Sequence, residues 1–177
     1  YIWLSSVNFS MGTSSGSPVH LAGEAGAKVV FITEGPLKGD IASFLSGRTF
    51  GCVPGANQYA NLAPFLKAMK EQGTEFVYEA YDMDKLLKPI CRGDYNEKCR
   101  DCPKYRQDWK NRKILCERKQ LKRGNIQRGC KKLAAICREL DIQGIPLTGD
   151  MDDEGDWAEH VKGVDDYLFD LEQKKET

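Results

Sequence analysis

The sequence predicts an α/β fold, a parallel four-stranded sheet flanked by helices and interrupted by one basic insertion. Three observations carry this. Short β-branched or aromatic runs alternate with helix-length amphipathic stretches, the pattern of strand–helix–strand crossovers. Turns containing Gly or Asp close each run where a strand should end. The alternation lapses once, across 86–129, where the chain becomes basic and rich in cysteine.

Residues 1–20, rich in Ser and Gly, are expected to form a lead-in loop. Their Gly12-Thr-Ser-Ser-Gly-Ser stretch lacks the Gly-Lys-Ser/Thr ending of a phosphate loop and reads as a linker. The domain proper spans 21–171. Residues 28–33 (KVVFIT) are the first strand, continuous in apolar character as a buried parallel strand requires. Leu37, Ile41, Phe44 and Leu45 then share one helical face. Residues 49–53 (TFGCV) form a second strand, stopped by Pro54-Gly55, and Leu62, Phe65, Leu66 and Met69 stripe a second helix. Residues 75–81 (EFVYEAY) are the third strand. After the insertion, Leu133, Ile136, Cys137 and Leu140 mark a third helix, and 144–148 (GIPLT) a fourth strand. Val164, Tyr167, Leu168 and Leu171 mark a last helix.

With 177 residues, 41% of them hydrophobic, the chain can build a core and is not expected to be disordered. No apolar run approaches the roughly 20 residues of a membrane span, and the first residues lack a signal peptide's charged and apolar regions. A cytoplasmic location is expected, and the absence of a starting Met fits a piece of a longer protein. The formal net charge of zero hides a split: 85–132 carry 17 basic and 5 acidic side chains, whereas 139–177 carry 3 and 13. Such asymmetry fits a polyanion-binding surface beside an acidic, cation-binding one, and equally a solvated insertion with an acidic tail.

The strand ends carry the chemistry. Ligands bind where the carboxyl ends of parallel strands open into a crevice. There the chain places Glu34-Gly35, then Asp82-Met83-Asp84, then Asp150 and Asp152. If the chain stays extended, Asp82 and Asp84 point to the same side. Carboxylates gathered from distant segments repel unless a cation joins them, and hard oxygen donors suit Mg²⁺ or Mn²⁺. Lys38, in the first turn after Gly35-Pro36, is a candidate phosphate contact. His20 and His160 have no metal-ligand spacing.

The stretch VVFITEG, followed by a segment ending in YDMD, resembles the Toprim domain of bacterial primases, topoisomerases and certain nucleases. The longer pieces ITEGPLKGDIASFL, VPGANQY and KGVDDYL are similar to a Toprim-like domain of unknown function. That domain occurs in primase-like proteins of plasmids, phages and integrative elements. The resemblance covers about 21–84 and 130–171 and implies a Toprim/Rossmann-like fold. It implies Glu34 as general acid/base, Asp82 and Asp84 as ligands of Mg²⁺, and Asp165 and Asp166 as ligands of a second ion. The chain departs from the pattern at Lys38, where replicative primases usually carry an acidic residue. It departs again at Lys85-Leu86, where a Gly is usual.

In the insertion, Cys91, Cys99, Cys102 and Cys116 have little apolar material around them, and such segments need a staple. Zinc is the favoured staple in a reducing compartment, with an iron–sulfur cluster as alternative and free thiols as a third possibility. Cys52 and Cys137 read as core residues. Arg106, Lys110 and Lys113, interleaved with Tyr95, Tyr105 and Trp109, are candidate contacts to phosphates and unpaired bases of single-stranded DNA. Three functions follow as expectations. One is primase-like nucleotidyl transfer acting on DNA and nucleotides within a mobile-element replication protein. The others are a metal-dependent nuclease, or a non-catalytic nucleic-acid-binding module beside a helicase domain of the parent protein.

Overall fold

A computed structural model describes residues 16–91, 97–102, 114–158 and 160–175. They form an α/β unit around a five-stranded sheet. The strands are β1 (His20–Ala22), β2 (Val29–Glu34), β3 (Thr49–Val53), β4 (Phe76–Glu79) and β5 (Gln143–Pro146), in the order β1-β3-β2-β4-β5. Four are parallel, as expected. The fifth, β1, runs antiparallel to β3, with His20 opposite Cys52 and Ala22 opposite Phe50. The strand count of four is therefore corrected, and the lead-in runs directly into an edge strand. Three residues are too few to show a strand period.

The helices are α1 (Pro36–Ser46), α2 (Leu62–Glu71), α3 (Glu117–Glu139) and α4 (Val164–Lys175). Strand alternation divides the core. Val30, Ile32 and Val77 face α2 and α3, meeting Leu62, Leu66, Ile126, Leu133 and Ile136. Ala42, Phe50 and Cys52 form a smaller cluster on the other face, with Phe31, Val164 and Leu168 packed against it.

Two helices depart from the sequence-based expectation. On α1 the buried residues are Gly39 and Ala42, while Leu37, Ile41 and Phe44 stand exposed. The cause is a close approach: a Cβ on Gly39 would lie 1.9 Å from Cys52 Sγ, so the helix rests on its small-residue face. Helix α3 runs unbroken through residue 129, so the C-terminal part of the expected insertion belongs to the core. Gly129 lets it cross the Pro54–Ala56 turn, since a Cβ there would meet Ala56 O at 2.0 Å. Cys52 and Cys137 are buried as expected. No helix among the described residues is long and apolar enough to cross a membrane.

Candidate functional site

The tight β2–α1 turn builds the first part of the site. Gly35 has φ 88°, a conformation open to glycine, and donates its N–H to Val53 O at 2.8 Å. Pro36 then starts α1, where a missing N–H costs nothing. This leaves Glu34 at the carboxyl edge of the sheet and Lys38 one turn into the helix. Glu34 Oε2 accepts the Ala56 N–H at 3.2 Å, tying it to the turn after β3.

Asp82 follows β4 and is 8% exposed. Lys38 Nζ donates to its Oδ1 at 2.6 Å. Burial, then the charge of Asp82, push the Glu34 pKa up, against the Ala56 N–H and the Lys38 ammonium. Burial alone would lower the Lys38 pKa, but its hydrogen bond to Asp82 and the charges of Asp82, Asp165 and Glu34 raise it. A half-buried carboxyl with a raised pKa thus sits beside an ammonium group held by Asp82.

Asp165 joins this group from α4. Its Oδ1 is buried without a hydrogen-bond partner among the described residues, and burial raises its pKa although Lys38 opposes this. The three side chains converge on Gly163. A Cβ there would lie 2.3 Å from Asp165 Oδ1, 3.2 Å from Lys38 Nζ and 3.3 Å from Asp82 Oδ1. Asp166 is engaged differently: its Oδ2 accepts the N–H groups of Lys162 and Gly163 at 3.2 and 2.9 Å, capping the start of α4.

Asp84 does not share the environment of Asp82. The chain leaves extended geometry at Met83–Leu86, a 3-10 turn, so strand alternation no longer sets where it points. Its Oδ2 lies 2.6 Å from Lys122 Nζ and 2.8 Å from Lys162 Nζ. Lys122 was not singled out in the sequence, where it lies in a basic stretch. It stands four residues before Ile126 on the face that buries Gly129 and Leu133, and that spacing was the available signal. A cavity of about 380 Å³ opens here, lined by Glu34, Lys38, Asp82 and Lys122 with Gly55 and Asn125.

Among the described residues, no three or more His, Cys, Asp or Glu side chains are placed to share an ion. Mg²⁺ is commonly held by one or two carboxylates together with waters and substrate phosphates, so it does not need three protein ligands. The carboxylates at this edge are Glu34 and Asp82, which interact directly, and Asp165, whose Oδ1 has no hydrogen-bond partner among the described residues. In the insertion, Cys91 N–H donates to Ile114 O and Cys116 N–H to Pro89 O, both at 2.8 Å, so a short antiparallel contact closes the segment's base. Cys99 and Cys102 share a separate turn, the N–H of Cys102 donating to Cys99 O at 3.1 Å. Arg106, Lys110 and Lys113 lie outside the described residues. No protein-family model, curated protein or solved structure matches this chain.

Proposed function

We propose that the chain is a Toprim-like, Mg²⁺-dependent module that handles the phosphates of nucleic acid and nucleotides, with primase-like nucleotidyl transfer as its activity. One observation carries the reading. Glu34, Lys38, Asp82 and Asp165 come from three distant segments to one carboxyl edge, beside a cavity that Lys122 also lines. A carboxyl whose pKa is raised by desolvation and a neighbouring carboxylate, in a cleft beside ammonium groups, is the arrangement expected of a functional site.

In this reading Lys38 and Lys122 bind phosphoryl oxygens as they exchange their carboxylate partners for substrate. Glu34, its pKa raised by burial and by Asp82, takes the proton of the attacking hydroxyl as its oxygen bonds the α-phosphorus and the α–β P–O bond breaks, and passes that proton to the departing pyrophosphate. Asp82 orients Lys38 and would hold Mg²⁺ together with waters and substrate phosphates, and the ion when bound neutralises charge on the transferring group. Asp165 supports the same edge. The four insertion cysteines form a separate proposal, one zinc or an iron–sulfur cluster, which requires the 91/116 base and the 99/102 turn to meet.

Incubation with single-stranded DNA, ribonucleotides and Mg²⁺ tests the reading. New oligonucleotides, lost in Glu34→Gln, are the expected product. Shortened template would favour a nuclease, and a mobility shift alone a binding module beside a helicase.

A further inference from the structure

We propose that a second cavity, beside the carboxylate–lysine site, receives the nucleobase of a nucleotide whose phosphates lie against Lys38, Lys122 and Lys162. This rests on the phosphate-handling reading above and names its base-binding subsite.

The cavity, about 270 Å³, lies between the ends of β4 and β5 and the loop entering α4. Met83, Leu147, Thr148, Gly149, Lys162 and Tyr167 line it. Its size falls just below the range of clefts that swallow whole drug-sized ligands, about 300–1,000 Å³, and suits one planar ring system.

Two residues join it to the phosphate side. Lys162 lines the cavity, while its ammonium group lies 2.8 Å from Asp84 Oδ2. Gly163 also lines it, and the side where a Cβ would project faces Asp165, Lys38 and Asp82. The cavity therefore shares its Lys162 and Gly163 wall with the group of lysines and carboxylates. The Met83 N–H donates to Lys162 O at 2.9 Å, which fixes the two walls relative to each other.

The lining also fits a base chemically. Gly149 lies against both the Met83 thioether and the Tyr167 ring, at 3.8 and 4.0 Å from where its Cβ would be. The half-buried Tyr167 is the one aromatic side chain besides Tyr81 among the lining residues. The Gly149 N–H donates to Met83 Sδ at 3.1 Å, and a thioether is a weak acceptor. A ring nitrogen or carbonyl of a base would give that amide a stronger one. A lipid chain or an apolar peptide side chain would offer the amide nothing and leave the neighbouring ammonium groups without an anion.

Titration calorimetry with ATP and with inorganic tripolyphosphate, each with Mg²⁺, separates the slot from the phosphate site. Stacking of a base on an aromatic side chain contributes about 1–3 kcal/mol, so wild-type protein should bind ATP roughly 5- to 150-fold more tightly than tripolyphosphate. Tyr167→Ala should lose most of that advantage with unchanged tripolyphosphate affinity, which also shows that the variant is folded. Tyr167→Phe keeps the ring and should keep the advantage. Equal wild-type affinity for the two ligands would overturn the slot and leave the phosphate site standing. So would an advantage that survives Tyr167→Ala or disappears in Tyr167→Phe. Failure of tripolyphosphate to bind wild-type protein would overturn the phosphate-handling reading, and the base subsite with it.

Discussion

Lys85, which in the sequence only marks a departure from the Toprim pattern, is expected to be among the most costly residues to remove. Its ammonium group lies 2.9 Å from Glu79 Oε1, and the two side chains are 7% and 10% exposed. It also donates to Leu147 O, while Glu79 Oε1 accepts the Tyr81 N–H at 2.9 Å. The pair thus clamps the end of β4, from which Asp82 and Asp84 emerge, to the end of β5. Lys85→Ala leaves the Glu79 carboxylate buried with its cation gone, a change that costs about 3–5 kcal/mol. Whole domains hold only about 5–15 kcal/mol, so this is a large share. With a urea dependence of about 2 kcal/mol per molar, the unfolding midpoint should fall by roughly 1.5–2.5 M. Glu79→Gln combined with Lys85→Met removes both charges and keeps the volume, so it should recover most of the loss. Urea denaturation followed by circular dichroism measures both variants. A Lys85→Ala loss below about 1 kcal/mol, or a double variant worse than the single, would refute the clamp.

Glu34→Gln should raise stability at pH 8 and remove activity. Because the folded-state pKa of Glu34 lies above its unfolded value, its favourable contribution is complete at low pH and is lost as pH rises through the folded pKa. The melting advantage of Glu34→Gln should therefore close below about pH 4, where glutamates are protonated even when unfolded. Gly39→Ala should destabilise by about 1–3 kcal/mol, because its Cβ meets Cys52 Sγ, and Cys52→Ala in the same chain should relieve part of this. Reversing Arg106, Lys110 and Lys113 to Glu should weaken single-stranded DNA binding for all sequences alike. Each lost phosphate contact should reduce the salt slope by about 0.7, as fluorescence anisotropy across a salt series would show.

The four parallel strands were legible because each is a short apolar run closed by a turn. The gathering of Glu34 and Asp82 followed from the rule that parallel strand ends share a crevice. The sequence did not show where the backbone stops being extended. Asp84 lies within a 3-10 turn, where alternation no longer sets where its side chain points, and it pairs with Lys122 and Lys162 whereas Asp82 pairs with Lys38. The face of α1 was misassigned because hydrophobicity favoured Leu37, Ile41 and Phe44, whereas close packing on Cys52 selected Gly39. Lys122 and Lys162 became site residues only through long-range folding, 38 and 78 positions after Asp84.

Crystals soaked with Mn²⁺ and a non-hydrolysable nucleoside triphosphate test the proposed site most directly, because Mn²⁺ is located by its anomalous scattering. The expected map has an anomalous peak bonded to Asp82 at the sheet edge, with the Lys38 ammonium group moved from Asp82 Oδ1 to a phosphate oxygen. An ordered triphosphate bound elsewhere, or a map in which Lys38 keeps its 2.6 Å contact to Asp82 and no peak lies at the sheet edge, would contradict it.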